Sequence, residues 1–264
     1  PHSFSGFNAV PFPSVFTLRL NGVLPDSHPM RILIVSNRLP ATVVRGVEGL
    51  VLGHSPGGMA TGVLDMVSGL RSHVLGSTLL GAPPLDWIWI GWPGGVFTQE
   101  EESSVQDLLR PRRNVPVFLS AEEEGCFYDG FSNRVLWPLC HYFTDGVRVD
   151  PRWWEGYRAV NRLFARVVGS ILEPEDLVWV HDYHLMLLPA LLRAQNPTLR
   201  IGYFHHIPFP EYEVLRFLPA TWRHELIDGL LGADRIGFHT HSYADAFLRA
   251  VRRDRGAIAS LGAI

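Results

Sequence analysis

The sequence predicts an α/β fold in which helices cover both faces of a Rossmann-like, doubly wound and mainly parallel sheet. Six short runs of apolar, β-branched and aromatic residues recur along the 264-residue chain, and segments with helical periodicity separate them. Runs that are apolar on both faces are typical of parallel strands buried between helices. Their alternation with helices predicts a doubly wound sheet, and a chain of this length can bury its core.

The first predicted strand, RILIVSN, follows directly after Met30. All predicted strands, in chain order, are 31–37, 87–92, 115–120, 177–182, 201–206 and 235–240. The predicted helices are 58–70, 98–110, 151–172, 183–195 and 242–253. We therefore expect residues 30–253 to form one Rossmann-like domain.

The two ends of the chain fit this pattern less well. Residues 1–29 lack the basic start, apolar block and small-residue cleavage site of a signal peptide, so we expect a poorly ordered leader or upstream extension. Residues 254–264 lose their periodicity and become small, which predicts a truncated tail.

Composition excludes several classes of partner. A net charge of −3 provides no broad basic field, which argues against nucleic acid as the main ligand. No apolar run approaches the ~20 residues that cross a bilayer, so we expect no membrane partner. Two cysteines are too few for a disulfide framework, which is typical of proteins in a reducing compartment. We therefore expect a cytoplasmic protein.

Polar side chains follow the predicted strands at the point where each strand ends, and ligands bind beyond that edge in doubly wound sheets. Arg38 offers a planar, charged fork that suits a phosphate, although the residue alone favours a surface arginine in a turn. Gly57 and Gly58 precede a predicted helix, where backbone amides can approach an anion, or they form a flexible loop tip. The spacing is not GxGxxG, which disfavours a dinucleotide site.

The HDYH segment carries two histidines and Asp182 between a strand and a helix. His181 and His184 straddle a turn rather than share a helical face, which disfavours a metal site. Asp182 is better suited to accept hydrogen bonds from ligand hydroxyls. In the following HHIP segment, we interpret His205 as a buried structural residue and His206 as the functional one.

The stretch FYDGFSNRVLWPLCHY carries many hydrogen-bonding tips and flat apolar faces, including Tyr128 and Trp137. This mixture is a poor pattern for a core helix and for a solvated loop, and Trp137 alone suggests core packing. The chain contains no GxSxG motif, no identifiable Ser-His-Asp arrangement and no lysine for a P-loop. These absences disfavour a Ser-His-Asp hydrolase and a P-loop nucleotide-binding site.

Seven motifs together resemble the N-terminal half of the trehalose-6-phosphate synthase family, from residue 31 to about 253. They occur in this order: SNRLP, GGMATGV, WIGWPGG, FYDGFSNRVLWPLCHY, VWVHDYHLMLLPALLR, FHHIPFPEYEVLRFLP and GADRIGFHTHSYADAFLRAV. The resemblance implies a retaining glucosyltransferase of the GT-B fold, with two Rossmann-like domains facing a cleft. It implies transfer of glucose from UDP-glucose to glucose 6-phosphate, giving trehalose 6-phosphate and UDP, with no metal and no cofactor.

The resemblance also implies roles for individual residues, and these roles divide between the two substrates. Arg38 would contact the acceptor phosphate, and Asp182 would bind the acceptor sugar and act in catalysis. Catalysis would also use His206, beside the donor glucose. The implied sets are acceptor binding by Arg38, Tyr128, Trp137 and Asp182, donor binding by Gly57, Gly58 and His206, and choice of anomer by Trp137 and Ile207.

The family's remaining donor-binding residues, including an arginine and a lysine, lie in a second domain. We expect this chain to hold mainly the acceptor half and the missing C-terminal domain to be a partner, alongside a homo-oligomer as a further form. Smaller departures are GGM for the commoner GGL and YDG for YNG. Two alternatives stay open: a non-catalytic sugar-phosphate-binding or regulatory module associated with a complete synthase, and a related transferase with another phosphorylated acceptor.

Overall fold

A computed structural model describes residues 31–47, 49–54, 61–65 and 86–255. The expectations for residues 1–29, for Gly57 and Gly58, and for 256–264 lie outside the described residues. Of the predicted helix 58–70, the structure describes residues 61–65, which are helical.

Among the described residues, six strands form one sheet in the order β5-β4-β1-β6-β7-β8, and all neighbouring strands are parallel. A separate antiparallel hairpin consists of β2 and β3. The bounds are β1 Arg31–Arg38, β2 Ala41–Gly46, β3 Gly49–His54, β4 Asp86–Trp92, β5 Asn114–Pro116, β6 Leu177–His181, β7 Arg200–His205 and β8 Arg235–Phe238. The order reverses at β1, which pairs with β4 on one side and β6 on the other, so the sheet has its switch point there.

The helices occupy the segments between the strands. The longer ones are Gln99–Leu109, Pro151–Ile171, Leu188–Gln195, Ala220–Leu231 and His241–Arg255. Shorter α-helical turns are Ala121–Glu123, Trp137–Cys140 and Tyr212–Leu215, the 3₁₀ turns are Arg110–Arg112 and Tyr183–Leu185, and Glu124–Leu136 is a π-helix. No helix in the described part of the chain has the length and apolar character needed to span a membrane.

The first strand shows why the sheet is covered on both faces. Leu33 and Val35 pack into one buried cluster, whereas Ile32 and Ile34 pack into the other. Successive side chains of a strand point to opposite faces, so an uninterrupted apolar run supplies both cores at once. The predicted α/β class, with a mainly parallel sheet, is confirmed.

One local prediction differs from the structure, and two of the larger elements were not predicted. The predicted strand 115–120 already ends at Pro116 in the structure. A helix then starts at Ala121, because the Ser120 side chain accepts a hydrogen bond from the Glu123 amide. The β2–β3 hairpin was not predicted. The helix Ala220–Leu231 was not predicted either.

The last helix extends two residues beyond the predicted domain boundary. The Asp254 side chain is 1% exposed, and its carboxylate lies 2.6 Å from Arg223 Nε and 3.1 Å from His224 Nε2. The end of this helix is therefore anchored to the helix Ala220–Leu231 by a buried ion pair.

The aromatic stretch around Tyr128 forms the irregular helix Glu124–Leu136. Its hydrogen bonding is of the wide type, and the Trp137 amide donates to the Ser132 carbonyl, five residues back. A Cβ at Gly130 would lie 2.6 Å from Cγ of Trp153, so only glycine allows this close approach to the helix Pro151–Ile171. Wide turns of this kind occur frequently at functional sites.

Candidate functional site

The parallel sheet brings four strand ends to one edge. Arg38 ends β1 and pairs in register with Trp92, which ends β4. His181 ends β6 and pairs with Phe204 of β7. Because these strands flank the switch point, this edge is where an open α/β sheet is expected to bind its ligand.

Arg38 lies against two aromatic rings. Its guanidinium carbon is 4.4 Å from the Trp92 ring centroid and 5.1 Å from that of Tyr128. The Arg38 Nε atom is buried and has no hydrogen-bond partner among the described residues. At Gly94, where φ is +88°, a Cβ would lie 3.3 Å from Arg38 Nη1, so the glycine leaves room for the guanidinium. The guanidinium therefore contacts two neighbouring rings, whose centroids are 5.6 Å apart and whose planes are tilted by 56°.

The charge of Arg38 acts on a neighbouring carboxylate and on a histidine. Burial and the charge of Asp129 raise the pKa of Glu124, and Arg38 opposes this rise. Burial and the Arg38 charge together lower the pKa of His184 to about 3, so its ring is neutral. The neutral ring stacks on Tyr128 at 5.9 Å with an interplanar angle of 14°. His184 thus supports the aromatic wall without competing with Arg38 for an anion.

Asp182 has an unusual backbone. Its φ is +74° and its ψ is 168°, a region that residues other than glycine rarely adopt. Its Oδ1 atom accepts a hydrogen bond from the His206 amide at 3.1 Å, and its own amide donates to the Phe204 carbonyl at 2.8 Å. Burial raises the pKa of Asp182 to about 6, against the opposing effect of backbone N–H groups of Tyr183 and His206.

His206 belongs to a group of three histidine rings. Nδ1 of His181 lies 2.9 Å from Nε2 of His206, and the two rings stack at 5.2 Å. His239 contacts the other side at a centroid distance of 5.5 Å. Burial and His239 lower the pKa of His206 to about 4. Within the described residues, no three His, Cys, Asp or Glu side chains are arranged to hold a metal ion.

Trp137 lies at the start of the turn that follows the irregular helix. Its side chain is exposed and stacks on His141 at 4.2 Å and on Phe143 at 6.0 Å. Three residues later, Cys140 is buried near enough to Asp182 for that charge to raise the pKa of its thiol further. Because the Trp137 side chain is exposed, the interpretation of Trp137 as a core residue is wrong.

The structure brings Arg38, Tyr128, Asp182 and His206 to the same edge of the sheet. Ile207 directly follows His206 and packs at the margin of the larger core. Sequence reasoning gave no role to Trp92, which ends the predicted strand 87–92, and considered His181 only as a disfavoured metal ligand. His205 is fully buried with Nδ1 3.1 Å from the Tyr203 hydroxyl, as expected of a structural histidine.

A parallel sheet with charged and aromatic side chains gathered at its switch point defines a Rossmann-like ligand-binding domain. The model of glycosyltransferase family 20 matches residues 30–257. The chain therefore belongs to glycosyltransferase family 20, and the resemblance to trehalose-6-phosphate synthases is confirmed.

Three similar proteins indicate the extent of the match. A bifunctional trehalose-6-phosphate synthase/phosphatase from Thermoproteus tenax is 42% identical over 235 residues, which are 89% of this chain and 31% of that protein. The N-terminal domain of Candida albicans trehalose-6-phosphate phosphatase aligns with a TM-score of 0.69 and 29% identity, over 90% of this chain and 46% of that one. A UDP-forming α,α-trehalose-phosphate synthase from Burkholderia xenovorans, solved in complex with glucose 6-phosphate, aligns with a TM-score of 0.63 and 31% identity, over 85% and 43%. The chain thus spans about a third to a half of the relatives' length.

Proposed function

We propose that this chain holds the acceptor half of a retaining glucosyltransferase that makes trehalose 6-phosphate and UDP from UDP-glucose and glucose 6-phosphate. Support comes from the family membership and from the Burkholderia relative, which is described as UDP-forming and binds glucose 6-phosphate. Because the chain spans less than half of these relatives, the proposal includes a second GT-B domain as partner. It also places the reaction in the cytoplasm and requires neither metal nor cofactor.

The observation that carries the proposal is the setting of Arg38. A guanidinium that is stacked on Trp92 and Tyr128 has lost freedom before any ligand arrives, so little entropy is lost when it binds a phosphate. Its planar fork matches two oxygens of a phosphate. The half-buried Tyr128 ring offers an apolar face for the C–H surface of a hexose, whereas the Trp92 ring is buried and supports the guanidinium from behind. Arg38 and Tyr128 would therefore hold the acceptor's phosphate and ring.

The remaining side chains have roles that follow from their positions. Asp182 would accept hydrogen bonds from acceptor hydroxyls and, because its Oδ1 atom accepts from the His206 amide, hold His206 beside the donor glucose. Trp137 and Ile207 would select the anomer of the acceptor. Gly57 and Gly58, which lie outside the described residues, would approach the donor diphosphate.

The proposed mechanism relies on positioning. The Asp182 carboxylate accepts hydrogen bonds from two backbone N–H groups and lies beside neutral histidines. It is therefore better placed to stabilise positive charge on a sugar than to attack the sugar as a nucleophile. We infer front-face attack through an ion-pair state, in which the UDP phosphate takes the proton from the acceptor hydroxyl. The residues of this chain orient the two sugars and stabilise charge.

Calorimetric titration of glucose 6-phosphate into the chain tests the acceptor assignment. We expect weak binding, with a Kd on the order of millimolar, that Arg38→Ala abolishes. Arg45→Ala is the matched control, since the Arg45 guanidinium also contacts a ring, that of Phe97, but pairs with Glu101 on the hairpin side. Equal affinity in the wild type and Arg38→Ala would remove Arg38 from the site.

A second candidate is a non-catalytic sugar-phosphate-binding module. It is favoured by the likeness to the N-terminal domain of a protein described as a phosphatase. The two candidates are separated by measuring UDP release after this chain is combined with a second GT-B domain. Transfer of glucose supports the enzyme, and glucose 6-phosphate binding without transfer supports the module.

A further inference from the structure

The contact between His181 and His206 determines which nitrogen of each ring carries a proton. His181 is fully buried at the end of β6, and its Nδ1 atom lies 2.9 Å from Nε2 of half-buried His206. Burial lowers the pKa of His181 well below its usual value, and it lowers that of His206 to about 4. Both rings are therefore neutral at pH 7, so one nitrogen of the contact donates and the other accepts.

The surroundings of the second ring nitrogen of His181 determine which of the two rings donates the hydrogen bond. Nε2 of His181 is buried and has no hydrogen-bond partner in the part of the chain that the structure describes. A buried N–H group without an acceptor is rarer and less favourable than a bare lone pair. The proton of His181 is therefore on Nδ1, and the hydrogen bond runs from His181 to His206.

Packing holds both rings in this arrangement. The Trp179 ring lies 4.3 Å from His181, and Phe204 lies 4.8 Å from His206. His239 packs edge-on against His206. Rotation of either imidazole about its side-chain bonds would have to displace one of these rings.

We propose that His181 is a positioning residue that donates from Nδ1 to Nε2 of His206 and so fixes His206 in its Nδ1–H form. His206 then offers an N–H donor, rather than a lone pair, to an oxygen of a bound sugar. The identity of that sugar as the donor glucose rests on the proposed function, whereas the tautomer does not. An unprotonated Nδ1 on His206 would instead accept a hydrogen bond from a hydroxyl group of the ligand. The Nδ1–H form therefore selects ligand groups that accept hydrogen bonds.

Nitrogen-15 NMR of the histidine rings in the ligand-free, 264-residue chain tests the tautomer directly. We expect Nδ1 of His206 to be the protonated nitrogen and Nε2 the unprotonated one. His181→Phe keeps a ring but removes the donor, so the ratio of the two His206 tautomers should change by at least ~10-fold, the equivalent of one hydrogen bond of about 1.4 kcal/mol. His181→Asn, whose amide can donate from nearly the same place, should keep the wild-type ratio.

Two results would overturn the assignment: a protonated Nε2 on His206 in the wild-type chain, or the same tautomer ratio in His181→Phe. If the phenylalanine variant does not give a folded backbone spectrum, the wild-type tautomer and His181→Asn decide the question. In a form that contains the second GT-B domain, added UDP-glucose should shift the Nδ1–H resonance of His206. A correct tautomer without that shift would leave the role of His181 intact and contradict the donor part of the proposed function.

Discussion

Replacing Asp182 with asparagine should stabilise the protein at neutral pH, although it should impair the site. The wild-type carboxylate is held in a poorly hydrated position at a backbone conformation with φ of +74°. Asparagine has nearly the same shape and tolerates positive φ comparatively well. The substitution therefore removes the charge with little change in packing.

The magnitude follows from the pKa of Asp182, which rises from 3.8 to about 6. A shift of about two units corresponds to about 3 kcal/mol, at ~1.4 kcal/mol per unit. Because the folded pKa is the higher one, the folded state holds more protons between about pH 4 and 6. The wild type therefore loses this stability as the pH rises through that window. Partial exposure makes the value an upper bound, so Asp182→Asn should gain about 1 to 3 kcal/mol at pH 7.

Urea denaturation between pH 4 and 8 measures the free energy of unfolding of the wild type and of Asp182→Asn. In the difference between the two, the contributions of the other titrating groups cancel. The two stabilities should converge near pH 4 and separate by pH 7. Asp176→Asn is the control of opposite sign, because the Asp176 carboxylate receives hydrogen bonds from Arg31 at 3.0 and 2.8 Å and its loss should cost about 2 kcal/mol. A stability difference for Asp182→Asn that does not vary with pH would refute the reasoning.

Three further predictions address the site and the scaffold. In a form that contains the second domain, the same Asp182→Asn change should lower the rate of glucosyl transfer at least ~10-fold, since one hydrogen bond to the sugar is lost. A normal turnover would favour a purely structural role for Asp182. Asp254→Ala should lower the free energy of unfolding by about 3 to 5 kcal/mol in urea denaturation, because it leaves the buried Arg223 without its carboxylate. Asp228→Ala removes an exposed ion pair and should cost less than about 1 kcal/mol. Equal losses in the two variants would contradict the argument from burial. Gly130→Ala should cost about 1 to 3 kcal/mol because its Cβ would lie 2.6 Å from a Trp153 ring carbon, and an unchanged melting temperature would show that the two helices can separate.

The sheet could be predicted from sequence because its strands are apolar on both faces. The hairpin β2–β3 escaped prediction because only one face is buried, and Val44 and Val51 on the exposed face obscure the alternation. The helix Ala220–Leu231 escaped prediction because arginine and histidine interrupt its apolar positions, and Arg223 is buried only through its tertiary contact with Asp254. Local patterns carry no information about such a partner.

The site was predictable to a different degree for each residue. Arg38 and Asp182 follow strands, so the rule about strand ends finds them without a structure. Trp92 also ends a predicted strand, but it is a buried core residue, and its contact with Arg38 is visible only in the structure. The tautomer of His206 depends on His181, 25 residues earlier in the chain, and no spacing rule connects them.

The wide turns of Glu124–Leu136 also make the length of this segment matter. Tyr128 and Trp137 are nine positions apart, which on an α-helix is about two and a half turns and places them on opposite sides. With the wide turns of Glu124–Leu136, the same nine positions make fewer turns, roughly two, so we expect the two side chains to lie closer to one side of the helix. A one-residue deletion between them would retain both aromatic residues, yet it would turn one of them away from the other. Variants of this segment should therefore be compared by their length as well as by their composition.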